Sequence, residues 1–173
     1  MPSLHCDARV RAICGDALEL TPEALRALQP RGFSAVLSDM CPATTGSGSL
    51  DATRSALLAE AAVELALGDF GVAAAGRDEA NAARRGPSQG VLLQGGALVV
   101  KLLEGDGGTR QELNAICRVR RTRTTLCLAA WLTRRRAQLN FAKVAWMRPK
   151  ATRSISREVY LVALGRQLRR KGV

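Results

Sequence analysis

Apolar and polar positions divide the 173 residues into short strands and helices, with two stretches that follow neither period. Val10 to Cys14 alternates weakly and stops at Gly15-Asp16, which predicts a short strand. Thr21-Pro22-Glu23 opens a helix. Thr suits the N-cap, Pro the first helical position where no N–H is needed, and Glu the positive end of the helix dipole. The helix is expected to run to about Leu28, where Pro30-Arg31-Gly32 breaks it. Ser34-Ala35-Val36-Leu37-Ser38 is a short apolar run ending in Asp39, the pattern of a parallel strand covered on both faces. Cys41 to Ser49 carries Pro42, Gly46 and Gly48 among Ser and Thr and reads as a loop. Asp51 is placed to cap a helix from Ala52 to about Leu67.

Beyond it, residues 69–89 are Gly, Ala, Arg and Pro with little periodicity and read as a flexible insertion. Leu92 to Gly96 is expected to turn into a buried strand, Ala97 to Val100, ending in Lys101. Gly105 to Gly108 forms a loop, and Thr109 to about Cys117 a helix. Residues 118–140 are a second irregular stretch, with seven Arg around Leu126 to Leu132, and are also read as an insertion. Lys143 to Trp146 suits a strand closed by Arg148-Pro149, and Val159 to Ala163 a last strand. Strands alternating with helices indicate an α/β sheet in a single domain spanning 1–173.

Composition narrows the function. The net charge of +11 is unevenly spread. Residues 1–108 hold 9 basic and 13 acidic side chains, whereas 109–173 hold 17 basic and 2 acidic. Such a concentration suits a polyanion such as RNA, whose neutralised phosphates release counterions. Six aromatic residues are too few for a surface that stacks many bases. The longest apolar runs are far shorter than a membrane span. Cys6, Cys14, Cys41, Cys117 and Cys127 form no C-x-x-C pair, and His5 is the only histidine, so no metal site is expected. An odd cysteine count without a signal-peptide layout fits a reducing compartment. The thiols are expected to be buried or incidental.

Two predicted strands end in a charged residue, Asp39 and Lys101, and Glu158 precedes the last strand. In open α/β sheets, ligands bind beyond the carboxyl ends of the strands. Three segments in order sharpen this. Ser38-Asp39-Met40-Cys41-Pro42 with Thr45-Gly46, Gly95-Gly96-Ala97-Leu98-Val99-Val100-Lys101, and Arg148-Pro149-Lys150 through Arg153, Ser156 and Glu158 to Tyr160 resemble the motifs of the FtsJ-like ribosomal RNA 2′-O-methyltransferases. Gly15-Asp16 matches the pair that closes that family's third strand.

The resemblance implies a Rossmann-like sheet and methyl transfer from S-adenosylmethionine to a ribose 2′-hydroxyl of large-subunit ribosomal RNA. It implies Lys101 as proton acceptor within a set that includes Asp39 and Glu158, and Asp16 and Asp39 as cofactor contacts. Arg148, Lys150, Arg153 and Arg157 lie around Glu158, where phosphates would approach. A Lys accepts a proton only when neutral, and two carboxylates favour its charged form, so Asp39 and Glu158 read as orienting groups. A monomer is expected.

The resemblance also implies a strand order of 3-2-1-4-5-7-6, a Gly-rich cofactor loop of the form D-L-x-x-x-P-G-G-[WF] and a first catalytic Lys. These residues contain neither that loop nor that Lys, so the sheet is expected to be incomplete, its first two strands missing. The chain then reads as an N-terminally truncated form of a longer enzyme. The rival reading is a degenerate, non-catalytic RNA-binding or ribosome-associated relative. The compartment follows the same resemblance: cytoplasmic for a bacterial member, mitochondrial or plastid for an organellar one.

Overall fold

A computed structural model describes residues 10–68, 90–105, 134, 137–149 and 156–167. The insertion at 69–89, the helix expected at 109–117, most of the segment 118–140, and Lys150 and Arg153 lie outside the described residues.

The first helix, α1 (Pro22–Leu28), forms where its caps placed it. The Thr21 side chain accepts the N–H of Ala24, and Pro22 occupies the first turn. The turn after it needs Gly32, whose φ of +86° belongs to the left-handed region and whose Cβ position lies 2.6 Å from the carbonyl oxygen of Val91. The chain then enters β1 (Phe33–Ser38).

Helix α2 (Gly48–Leu67) begins earlier than the sequence suggested. Ser47 holds the N-cap position and Asp51 lies within the first turn, its carboxylate reaching back to the loop. The buried stripe Asp51, Ser55, Ala59, Ala62 and Ala66, joined by Ala56 and Val63, follows the three-and-four spacing of one helical face. Small side chains let the helix approach the sheet closely.

Strand β2 (Leu92–Leu103) is longer than the run 97–100 and passes Lys101 by two residues. Phe33 sits beside Leu92 and Ala35 beside Ala97, so the expected turn at 92–96 is a bulge inside one strand. Gly95, at a φ of +76°, permits it. Strands β3 (Phe141–Met147) and β4 (Glu158–Arg166) complete a four-stranded mixed sheet of order β1-β2-β4-β3. The β1–β2 pair is parallel, and both pairs involving β4 are antiparallel. This order reproduces the 4-5-7-6 end of the implied arrangement.

One face of the sheet carries the core. Leu98, Val100 and Leu102 of β2 with Val159, Leu161 and Ala163 of β4 pack against Ala56, Ala59, Val63 and Ala66 of α2. Alternation along each strand turns the intervening residues to the opposite face. The last residues of the segment 118–140 join the core: 137–140 is helical and Ala137 is fully buried.

One expectation fails. Val10 to Cys14 is not a strand; it is exposed and hydrogen-bonds to no other strand among the described residues. Weak alternation alone does not hold a strand, which needs a ladder partner. Cys14 and Cys41 are free and exposed, which leaves the incidental one of the two readings for these thiols.

Candidate functional site

The register of the sheet brings the predicted residues together. Lys101 pairs with Tyr160 and Leu103 with Glu158 across the β2–β4 ladder, and directly opposed residues share a face. Ser38 pairs with Val100 in the parallel ladder, so Asp39 follows beside Lys101. Asp39, Lys101, Glu158 and Tyr160 thus meet on the face opposite α2.

The Lys101 Nζ lies 2.9 Å from Asp39 Oδ1 and 3.8 Å from Glu158 Oε1. The three differ in exposure. Lys101 is 7% exposed, Glu158 40% and Asp39 78%, so the cluster runs from a buried amine to a solvent-facing carboxylate. Burial works against the charge on Lys101. The hydrogen bond and charge of Asp39, with Cys41 and Glu158, outweigh it and raise the pKa above the ordinary lysine value. Lys101 in the resting protein is an ammonium ion. Tyr160 was not singled out by the sequence. Burial, then the charges of Asp39 and Glu158, raise its phenol above the ordinary value although Lys101 opposes them, so it keeps its proton and can donate. Its place closing the third motif, two residues beyond Glu158 and on the same side of a strand, was the available signal.

A second cluster lies on the helix side. Asp51 is fully buried, and its Oδ1 accepts the backbone N–H of Thr45 at 2.8 Å and the Thr45 hydroxyl at 2.9 Å. Its Oδ2 accepts from the Arg157 guanidinium at 3.1 Å. The Thr45 N–H lowers the Asp51 pKa most; burial opposes it, and the Thr45 hydroxyl and Arg157 add to the lowering. One turn later, the Ser55 hydroxyl accepts the Leu103 N–H at 2.9 Å.

Of the four basic residues expected to meet phosphates, the two that are described have internal partners. Arg148 donates to the Ser156 carbonyl and to Glu104, and Arg157 donates to Asp51. Asp16 stands apart from the Lys101 cluster. Its carboxylate accepts the N–H of Leu18, and no ion pair or hydrogen bond joins it to Asp39, Lys101 or Glu158. Among the described residues no group of His, Cys, Asp and Glu could hold a metal, and no helix is long and apolar enough to cross a membrane.

A family model described as FtsJ-like methyltransferase matches residues 1–166. Three curated relatives carry the name ribosomal RNA large subunit methyltransferase E. One from Anaplasma marginale (strain Florida) is 33% identical over 146 residues, 84% of this chain and 51% of the relative. One from Desulfatibacillum aliphaticivorans is 31% identical over 150 residues, 87% and 51%. One from Sorangium cellulosum (strain So ce56) is 31% identical over 155 residues, 88% and 50%. The chain spans about half the length of the curated relatives it matches.

Proposed function

The chain belongs to the FtsJ-like methyltransferase family, and on that premise we propose that it methylates a ribose 2′-hydroxyl of large-subunit ribosomal RNA with S-adenosylmethionine. The observation that carries the reading is the buried Lys101 amine held between Asp39 and Glu158 at the rim of a parallel strand pair. The three relatives' shared name supports the choice of RNA.

S-adenosylmethionine, when bound, supplies a methyl group on a positively charged sulfonium. Of the residues present, Asp39 fits such a group. Asp39 is largely exposed and offers acceptor capacity beyond Lys101, matching a ligand that carries an ammonium and hydroxyl donors. We assign contacts with it to Asp39 and Asp16.

The proton chemistry falls to Lys101. Its neutral amine accepts the proton as the ribose oxygen becomes a nucleophile. The ammonium so formed is the species that Asp39 and Glu158 stabilise. The interactions that make the neutral amine scarce also make it a stronger acceptor, the usual Brønsted exchange. Asp39 and Glu158 fix the amine's direction, and alignment is a large share of the rate in an in-line displacement. Phosphate contacts are assigned to Arg148, Lys150, Arg153 and Arg157, the basic residues flanking Glu158 in sequence.

The test is incubation of the chain with methyl-labelled S-adenosylmethionine and large-subunit ribosomal RNA. The expected product carries label on a ribose oxygen, leaving one phosphodiester resistant to alkaline cleavage. Label on a base, or RNA binding with neither donor binding nor label, overturns the proposal. The second outcome identifies a non-catalytic RNA-binding protein.

A further inference from the structure

We propose that Asp51 is a positioning residue, a single buried carboxylate on α2 that ties together the two loops delivering Asp39 and Glu158 to Lys101. The inference rests on the reading of Lys101 as the reacting amine, but its geometry is independent of any substrate.

Asp51 touches neither Lys101 nor its partners. Instead its Oδ1 holds Thr45 by both N–H and hydroxyl, closing the loop that leaves β1 through Asp39. Its Oδ2 holds Arg157, the residue before Glu158. Arg157 is gripped twice, because its carbonyl accepts the N–H of Glu104 at 2.7 Å. Neighbouring residues of an extended chain point to opposite faces. Fixing Arg157 on the helix side therefore fixes Glu158 on the Lys101 side. Ser55, one turn along, anchors the Leu103 N–H just past Lys101. One helical edge thus sets the three chain segments that carry the cluster.

Lys101 is surrounded by Asp39 and Cys41 from the loop after β1 and by Glu158 and Tyr160 from β4. If the tether acts by position, loosening it withdraws a carboxylate from the amine, and Lys101 loses its proton at lower pH. Direct electrostatics makes a different prediction for one variant. Arg157→Gln removes a positive charge, which by charge alone moves the Lys101 titration to higher pH. Loss of positioning moves it to lower pH. Arg157→Gln therefore separates the two, whereas Asp51→Asn lowers the midpoint by either route.

The experiment is side-chain NMR of the full chain with labelled lysine. The protein has four lysines, and Lys101 is assigned by the signal lost in Lys101→Arg. The Lys101 midpoint is expected to fall in Asp51→Asn and in Arg157→Gln, and to return toward the native value in Arg157→Lys. A midpoint that rises or stays put in a folded Arg157→Gln overturns the proposal. If Asp51→Asn does not fold, the two Arg157 variants decide alone. Methyl transfer at saturating RNA, where a lost phosphate contact no longer limits binding, gives a second readout: kcat falls on the order of 10- to 100-fold in Arg157→Gln with the KM for the methyl donor little changed. Lys101 shifts in the variants, beside native protein that shows no transfer, sink the methyltransferase reading and leave the tether standing.

Discussion

Replacing Lys101 separates the part of the residue that the fold needs from the part that the chemistry needs. The side chain is buried along its stem while its partners sit nearer solvent, Asp39 most of all. Lys101→Met keeps the aliphatic stem and removes the ammonium. The ion pairs it breaks are shared with partly exposed carboxylates, which places the stability change within about 1 kcal/mol. Lys101→Ala loses the ammonium and, in addition, about three buried methylenes at ~0.8 kcal/mol each, a further ~2 kcal/mol. Urea unfolding should therefore rank native, Met and Ala in that order, with Ala clearly apart. Methyl transfer should not follow that ranking. A general base contributes about 10²- to 10⁴-fold, so both variants should lose that factor alike in a single-turnover assay with saturating donor and RNA. Donor affinity, read by calorimetry, should stay near native in both. Turnover by Lys101→Met within about tenfold of native would refute Lys101 as the base, because general-base loss costs more than that.

Three further outcomes follow from local contacts. Asp51 has a pKa lowered in the fold, so its contribution to stability is present above the ordinary aspartate value and is lost as pH falls through the depressed folded value. Acid unfolding monitored by circular dichroism should accordingly lose that component in Asp51→Asn. Ser55→Ala leaves the buried Leu103 N–H without an acceptor and should cost about 1–3 kcal/mol in urea unfolding. Gly32→Ala places a Cβ 2.6 Å from the Val91 carbonyl at a φ of +86°, and should lower the melting temperature by an amount equivalent to roughly 1–3 kcal/mol.

The elements whose signals are local were legible in the sequence. Thr21-Pro22-Glu23 states a helix start within three residues, and the structure begins α1 there. The apolar runs of β1, β2, β3 and β4 were visible because a core face and a ladder need them. Ends were less legible. Asp51 looked like a cap because Asp is a common one, yet the helix starts at Gly48 and the carboxylate turns back to Thr45. Val10 to Cys14 had the alternation of a strand but no ladder partner, and a partner is not written in the segment itself. Asp39, Lys101 and Glu158 stood out as charges at strand ends, and motif resemblance joined them into one set, since nothing near any one of them reveals the other two. Asp51 and Arg157 are 106 residues apart and carried no such signal.

The basic side chains show why a charge count reads differently from a structure. Residues 109–173 hold 17 basic side chains, and their field attracts a polyanion whatever their partners. Counterion release depends on guanidiniums that reach phosphates. Arg148 and Arg157 each hold a carboxylate of this same chain, Glu104 and Asp51. Arg148 also donates to the Ser156 carbonyl, so both guanidiniums fasten the residues that lead directly into Glu158. A guanidinium has five donors in a planar fork and can satisfy a buried or half-buried carboxylate while turning its outer edge to solvent. Both arginines are partly exposed and have that outer edge. Under the proposed function, a phosphate meeting Arg157 would pull on the same fork that holds Asp51, and the approach of RNA would then bear on the placement of Glu158.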